Sequence, residues 1–489
     1  MKDVRLTPET RLVLAVVLAL TLALLAKFFW TLIVYDVPLG YDPGFYRYLF
    51  VRHADAFPPF VLAELDPWAR GHPLGLFFFT TILLRLGLPV DWLLGWIWNL
   101  FPVLVALSLA WVIGRREGKW TGVCVLIAAL LSVAYFDGFA AMYWKTYASL
   151  FWLVWTVHAL ERRSWWSVPL GILTVATHHQ TGFLFGLMLI SWLVLPLIPV
   201  SRSTQKTIVG RLSKRDFLVV GGIGLLIFAI GLLWYLPVWQ DAVLVHLPAL
   251  LQNDGSASGS FPPASFYLRT SGILLLLGAV GWVRSVQRER WTLWQLGVLW
   301  SFLFVALRLF FYRRFFLQLD FFLLPFAAAA MVEIWHRFTR INFRLLLAVL
   351  IVVQGLVMQQ VMLTRVPLVD AGTFNAAIEL ADIVPREGFV LGLENESVVV
   401  LRGWLPDHHV GGPGLFEVFW SQQQWESFLL GTHEDRVFLL SPLPQPTYLF
   451  VSALFLSYYG PFADDFLGDP CFEPTDNTHV YRVTCVPLP

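Results

Sequence analysis

Charge is scarce in this sequence. Asp, Glu, Lys and Arg make up 14% of its 489 residues, where a soluble globular chain carries about 25%. The two signs nearly cancel, leaving +1, so nothing in the overall charge calls for a nucleic-acid partner. Cysteine is also rare: Cys124 lies in an apolar run, and Cys471 and Cys485 lie near the C-terminus. There is no CxxC pair, no HExxH, no P-loop and no dinucleotide-type glycine motif, which leaves a cytoplasmic nucleotide-driven enzyme without support. No internal repeat and no long low-complexity tract is present. The first apolar run, residues 12–34, has no small-residue cleavage site near its end and is too long for a signal-peptide core, so it reads as an uncleaved signal anchor.

Apolar residues take the place of charge. Hydrophobic types reach 57%, the mean hydropathy is +0.67, and 16% of residues are aromatic, with 23 Trp and 41 Phe. Trp and Tyr gather where a bilayer meets water. A span needs about 20 mostly apolar residues to cross a hydrocarbon core roughly 30 Å thick. On that criterion about eleven runs are expected to be helical spans: residues 12–34, 92–113, 120–136, 147–160, 168–177, 183–200, 217–236, 273–283, 291–310, 315–335 and 345–363. The run 73–88 is interrupted by Gly75, Arg85 and Gly87 and reads as a helix lying on the membrane surface.

Basic residues orient these runs. With the N-terminus inside, the cytoplasmic set is Lys2, Arg5 and Arg11; Arg115, Arg116 and Lys119; Arg162 and Arg163; Arg202, Lys206, Arg211, Lys214 and Arg215; Arg284, Arg288 and Arg290; and Arg337, Arg340 and Arg344. The alternate connections are nearly bare, which is the positive-inside bias. The long first loop 35–91, the loop 237–269 and the tail from Val366 onward therefore fall outside. The fold class expected is an α-helical polytopic membrane protein, with residues 1–365 as its transmembrane part and 366–489 as an extracytoplasmic α/β or α+β domain. In that tail 372–384 has helical spacing. The runs 389–393, 398–401, 437–440, 448–452 and 480–486 read as strands. Residues 253–260 (NDGSASGS) read as a loop tip. Cys471 and Cys485 flank a turn and a terminal strand on the oxidising side, so a disulfide between them is expected, with two independent buried thiols as the alternative.

In a membrane chain the informative residues are polar ones near span ends. Asp42, in Gly40-Tyr41-Asp42-Pro43-Gly44-Phe45-Tyr46-Arg47, follows the first span. It can serve as a general base, as a ligand for a divalent metal such as magnesium or manganese, or as a plain helix N-cap. Asp137, in Phe136-Asp137-Gly138, is a second acid at a span end and a candidate metal ligand; Lys145 follows it. His178 and His179, in Thr177-His178-His179-Gln180-Thr181-Gly182, can donate hydrogen bonds to phosphate or be structural. Arg313 and Arg314 form a cationic pair on the side where few are expected; guanidinium forks match phosphate oxygens, and snorkelling to the interface is the bland reading. Lys27, in the first span, is expected to snorkel outward or pair with an acid of the outer loop.

With these residues placed, the chain resembles the GT-C superfamily of membrane glycosyltransferases. Gly40 to Arg47 is similar to the acidic motif after the first span of oligosaccharyltransferase catalytic subunits. His72-Pro73-Leu74 looks like the Pro-Pro-Leu element of protein mannosyltransferases and aminoarabinose transferases, with one proline missing. Phe136-Asp137-Gly138 sits where oligosaccharyltransferases carry a second acidic motif; their third acidic position is absent. Thr177 to Gly182 falls where aminoarabinose-type enzymes hold donor phosphate with Thr-Lys-Gly. Arg314-Phe315, followed by Pro325 and a run of alanines, is similar to the Arg-Phe span that contacts lipid phosphate. The tail has no Trp-Trp-Asp-Tyr-Gly, which argues against a standard N-glycosylation enzyme. The resemblance implies inverting transfer of a sugar from a polyprenyl-phosphate donor to a glycan, lipid or protein acceptor at the outer membrane face. It assigns Asp42 as base or metal ligand, and Arg314, Arg313, His178, His179 and Lys145 as donor-phosphate ligands. The competing classes are a lipid or solute transporter or flippase, which would show mid-span charges and internal repeats, and a non-catalytic glycan-binding membrane scaffold.

Overall fold

The computed structural model describes residues 7–195, 214–246, 261–288, 291–309, 311–337, 341–413 and 420–486. The expected loop tip 253–260 and the basic residues Lys2, Arg5, Arg202, Lys206, Arg211, Arg290 and Arg340 lie outside them. The protein is mostly helical. Among the described residues four helices are long and apolar enough to cross a membrane: Pro8–Val34, Val90–Glu117, Phe315–Arg337 and Ile341–Leu363. Three further spans arise if bent pairs are counted as one: Lys119–Leu131 with Val133–Ala140, Phe217–Leu233 with Leu236–Ala242, and Ala264–Thr270 with Gly272–Arg288. Gly75–Arg85, Ser167–Thr177, His179–Val194 and Leu293–Ala306 are shorter apolar helices.

The chain forms two compact units. The first comprises Met1–Trp30, Gly71–Phe79 and Trp96–Arg365; the second comprises Thr31–Arg70, Thr80–Gly95 and Val366–Pro489.

In the first unit the 57° bend after Leu131 has a clear chemical cause. Ser132 is extended, and its hydroxyl accepts from the Tyr135 amide, capping the next helix. The interrupted helix leaves carbonyls that lipid cannot satisfy, each costing several kcal/mol. Lys27 supplies the missing donor. Its ammonium reaches the carbonyls of Ala129, Leu130 and Ser132 at 3.3, 2.8 and 3.2 Å, and the residue is buried. Lys27 therefore neither snorkels outward nor pairs with an outer-loop acid: the free helix end offered it nearer acceptors. Asp320, buried in the Phe315–Arg337 helix, accepts from the Ser132 hydroxyl.

The second unit carries a five-stranded sheet: β1 (Phe389–Gly392), β2 (His409–Gly411), β3 (Thr447–Phe450), β4 (Phe472–Pro474) and β5 (Val480–Val483), in the order β2-β1-β3-β5-β4. β2, β1 and β3 run parallel, and β3, β5 and β4 antiparallel. Alternation sorts the strands onto two cores. Phe389, Leu391 and Leu449 pack with Phe428, Phe466 and Phe472. Val390, Phe450 and Val480 pack with Leu380, Val398 and Leu401.

Two expected strands are helices. Residues 398–401 lie in Asn395–Trp404 and 437–440 in His433–Leu440. The second has a capping box, with the Thr432 hydroxyl and Asp435 carboxylate each accepting from the other's amide; that local signal outweighs the β-rich Val437 to Leu440 run. In the first, Val398, Val399 and Leu401 are all buried against the sheet or its flanks, so burial overrides β-branched propensity.

Candidate functional site

Asp42 belongs to the second unit. It occupies the N-cap position of the helix Pro43–Ala54, with Pro43 in the first turn, yet its side chain makes no capping hydrogen bond. The cap function is thus carried by the backbone alone, whose carbonyl accepts from the Tyr46 amide at 2.9 Å. Several contacts hold this segment in place. A Cβ on Gly44 would meet the Val399 carbonyl oxygen at 2.0 Å, so only glycine permits this approach. The Tyr41 hydroxyl donates to Asn395 Oδ1 at 2.6 Å; burial pushes that hydroxyl above the ordinary tyrosine range, keeping it a donor. Arg47 donates to Asp91 at 2.9 Å and to the Gly403 carbonyl at 2.8 Å, and stacks on Trp404. Arg402, buried, pairs with Asp66, donates to the His408 carbonyl at 2.6 Å and lies over the Tyr48 ring.

The basic residues belong to the first unit, and the structure brings four of them together. Lys145, His179 and Arg314 all lie close enough to His178 to act on its charge. The rings of His178 and His179 are 5.2 Å apart, and His178 Nδ1 is 2.8 Å from the Thr181 hydroxyl. His178 is the extended residue between Ser167–Thr177 and His179–Val194, so the cluster sits at the N-terminus of the second helix, where amides favour anions. Lys145 Nζ is 2.6 Å from His72 Nδ1. His72 is brought there by Gly75, where a Cβ would meet the Ala176 carbonyl oxygen at 2.6 Å. Arg314 lies over the rings of Tyr143 and Phe311 at 5.6 and 5.2 Å, and Arg313 over Tyr312. The Nε atoms of Arg313 and Arg314 are buried without a hydrogen-bond partner among the described residues.

Asp137 has both carboxylate oxygens engaged. Oδ1 accepts from Arg365 at 2.8 Å and Oδ2 from the Tyr267 hydroxyl at 2.9 Å, and the residue is buried. Arg365, Tyr267, Asp320 and His72 were not singled out in the sequence as partners of these groups. An acid inside an apolar helix was the available signal for Asp320; the others become meaningful only through contacts distant in sequence.

His433, Asp469 and Cys471 also gather in the second unit, but they do not fit a metal ion. The Cys471 sulfur is committed to a disulfide with Cys485, with a Cα separation of 4.7 Å, so the expected disulfide is present. Asp469 accepts from Arg436 at 2.6 Å, from His433 at 2.8 Å and from the Cys471 amide at 2.8 Å. Burial favours its neutral form, but these donors outweigh it and hold the carboxyl below the usual range.

Structural comparison gives this arrangement a context. The chain superposes on the oligosaccharyltransferase of Archaeoglobus fulgidus with a TM-score of 0.64 and 13% identity, covering 94% of this chain and 71% of that one. A second structure of that enzyme, in complex with zinc and sulfate, gives 0.58 over 97% and 74%. ArnT from Cupriavidus metallidurans gives 0.55 at 12% identity over 98% and 99%. No family model matches the sequence, and no curated protein matches it. The chain shares its fold with these solved structures.

Proposed function

We propose that this protein is a GT-C glycosyltransferase that moves a sugar from a polyprenyl-phosphate donor to an acceptor on the extracytoplasmic face, with inversion. The observation that carries the reading is the cluster of Lys145, His178, His179 and Arg314, with orphaned guanidinium nitrogens on Arg313 and Arg314. Basic side chains clustered among apolar helices with unmet donors call for an anion, and a lipid-linked phosphate is the anion that a membrane supplies in that setting. Solved structures of the same fold are named as an oligosaccharyltransferase and ArnT, which favours glycosyl transfer over transport or a passive scaffold.

In this reading Asp42 takes the proton from the acceptor hydroxyl or amide. The acceptor atom bonds to the anomeric carbon, the bond from that carbon to the phosphate oxygen breaks, and a single displacement inverts the centre. The phosphate leaves with an added negative charge, which Arg314 and Arg313 neutralise with Lys145, His178 and His179. Asp42 is the carboxylate proposed to hold a divalent ion if one is used; such an ion would help neutralise the donor phosphate. Asp137, held by Arg365 and Tyr267, serves as a structural acceptor instead. The N-terminus is cytoplasmic, residues 1–365 form the membrane part with its long outer loop 35–91, and residues 366–489 form an extracytoplasmic domain. The deciding experiment reacts the purified, lipid-embedded protein with a panel of polyprenyl-phosphate sugars and candidate acceptors. Transfer of one sugar with inverted anomeric configuration is expected. Donor binding without transfer to any acceptor would favour the scaffold reading.

A further inference from the structure

Arg314 immediately precedes the helix Phe315–Arg337, and Glu333 lies near its other end, roughly 28 Å away at 1.5 Å rise per residue. Around Glu333 the first unit encloses a cavity of about 240 Å³, lined by Arg116, Arg284, Arg288, Trp294, Phe326 and Glu333 among others. Its walls come from five helices: Trp96–Glu117, Lys119–Leu131, Gly272–Arg288, Leu293–Ala306 and Phe315–Arg337. Two walls are fixed backbone to backbone, since a Cβ on Gly281 would meet the Phe326 carbonyl oxygen at 2.0 Å. That close packing holds these two walls at a fixed separation.

Charge in this cavity is unbalanced in one place. Within the lining the single carboxylate of Glu333 serves two guanidinium groups, Arg284 at 3.3 Å and Arg288 at 2.8 Å, leaving one positive charge in excess; Arg337, outside the lining, lies 3.4 Å from the same carboxylate. Elsewhere in the lining Arg116 is paired with Glu117, and with Glu161 outside the lining. A second sign is independent of the arginines. Trp294 is 1% exposed, and its indole nitrogen has no hydrogen-bond partner among the described residues. A buried donor without an acceptor is costly, and Trp294 is among the residues that line the cavity.

We propose that this cavity is a second binding site, separate from the donor site, for a phosphate ester of the kind carried by anionic phospholipid headgroups. Guanidinium groups at membrane-helix ends on the basic side of a bundle recognise such headgroups. The arginine-rich wall meets the phosphate oxygens, and Pro325, Phe326, Ala329 and Ala330 offer an apolar surface to the glyceryl and upper acyl carbons. Placing the site in the cytoplasmic leaflet rests on the orientation proposed above, but the site itself does not depend on glycosyl transfer.

The test is native mass spectrometry of the full chain released from nanodiscs, titrated in turn with phosphatidylglycerol, phosphatidylcholine and inorganic phosphate. Phosphatidylglycerol should bind at least tenfold more tightly than phosphatidylcholine. The double variant R284A/R288A should lose at least tenfold of that affinity. R284K/R288K keeps the charge without the planar forks and guards against misfolding; it should fall between the two. Equal phosphatidylglycerol binding by wild type and both variants would overturn the proposal, as would equal binding of the two lipids. Displacement of the lipid by inorganic phosphate at similar concentration would overturn the lipid source and assign the site to free phosphate. A chain that binds phosphatidylglycerol but transfers no sugar would leave this inference standing while the proposed reaction fell, so the two fail separately.

Discussion

Gly44 and Gly403 are in backbone contact: a Cβ on Gly403 would lie 2.4 Å from the Gly44 Cα. This contact joins Pro43–Ala54 to Asn395–Trp404, so the segment bearing Asp42 is seated on a helix of the C-terminal sheet region. Gly403→Ala is expected to force the helices apart and destabilise the second unit by about 1–3 kcal/mol, the usual range for overpacking. Thermal unfolding followed by limited proteolysis of the tail measures this. An unchanged midpoint would mean that the helices separate without cost.

Asp42→Asn removes the carboxylate while keeping the size and leaving the helix start intact, because the side chain does not cap it. Transfer should be abolished with donor binding retained. Near-normal turnover in this variant would exclude both the base and the metal role. Titration with magnesium or manganese after chelation separates them, since only a metal role makes activity ion-dependent.

Arg314→Ala should weaken donor binding by about 1.5–3 kcal/mol, the range for a hydrogen bond to a charged group, or roughly 10- to 150-fold. Arg314→Lys should recover only part of this, because a lysine carries the charge without the fork. Equilibrium binding of a fluorescent polyprenyl-phosphate analogue reads both. Donor affinity equal to wild type in Arg314→Ala would remove this residue from the phosphate site.

The C-terminal domain should show both a redox and an acid dependence. Opening the Cys471–Cys485 loop should cost about 3 kcal/mol on the chain-entropy account for a loop of about 15 residues. Thiol labelling should require reductant. Asp469 is held below its unfolded value; its contribution is present above the unfolded range and is lost as pH falls through the folded value. Acid unfolding of the domain should therefore become shallower in Asp469→Asn. An identical acid limb in wild type and variant would show that another group controls it.

Reporter fusions after Arg116 and after Pro489 should report opposite sides of the membrane, because basic residues alternate between connections. The same side for both would reverse the placement of the C-terminal domain.

Composition and periodicity alone carried the membrane character, the position of many helices, the small mixed domain at the C-terminus and the candidate residues Asp42 and Arg314. These follow from burial preferences that act along the chain: an apolar run must leave water, and arginines near helix ends bias its direction. Hairpin-like patterning favoured the Cys471–Cys485 bond over two separate thiols, and the structure shows the bond. The helices at 398–401 and 437–440 were hidden because capping and packing outweigh β-branched propensity there. The role of Lys27 was hidden because its acceptors are carbonyls some hundred residues away, freed only when the helix breaks at Ser132. Asp137 looked equivalent to Asp42 in sequence, both being acids at span ends. Only folding distinguishes them, by placing Arg365 and Tyr267 on one carboxylate and leaving the other out of its helix cap. A side chain's chemistry is legible from its type, but the partners it takes depend on which residues the tertiary structure brings to it.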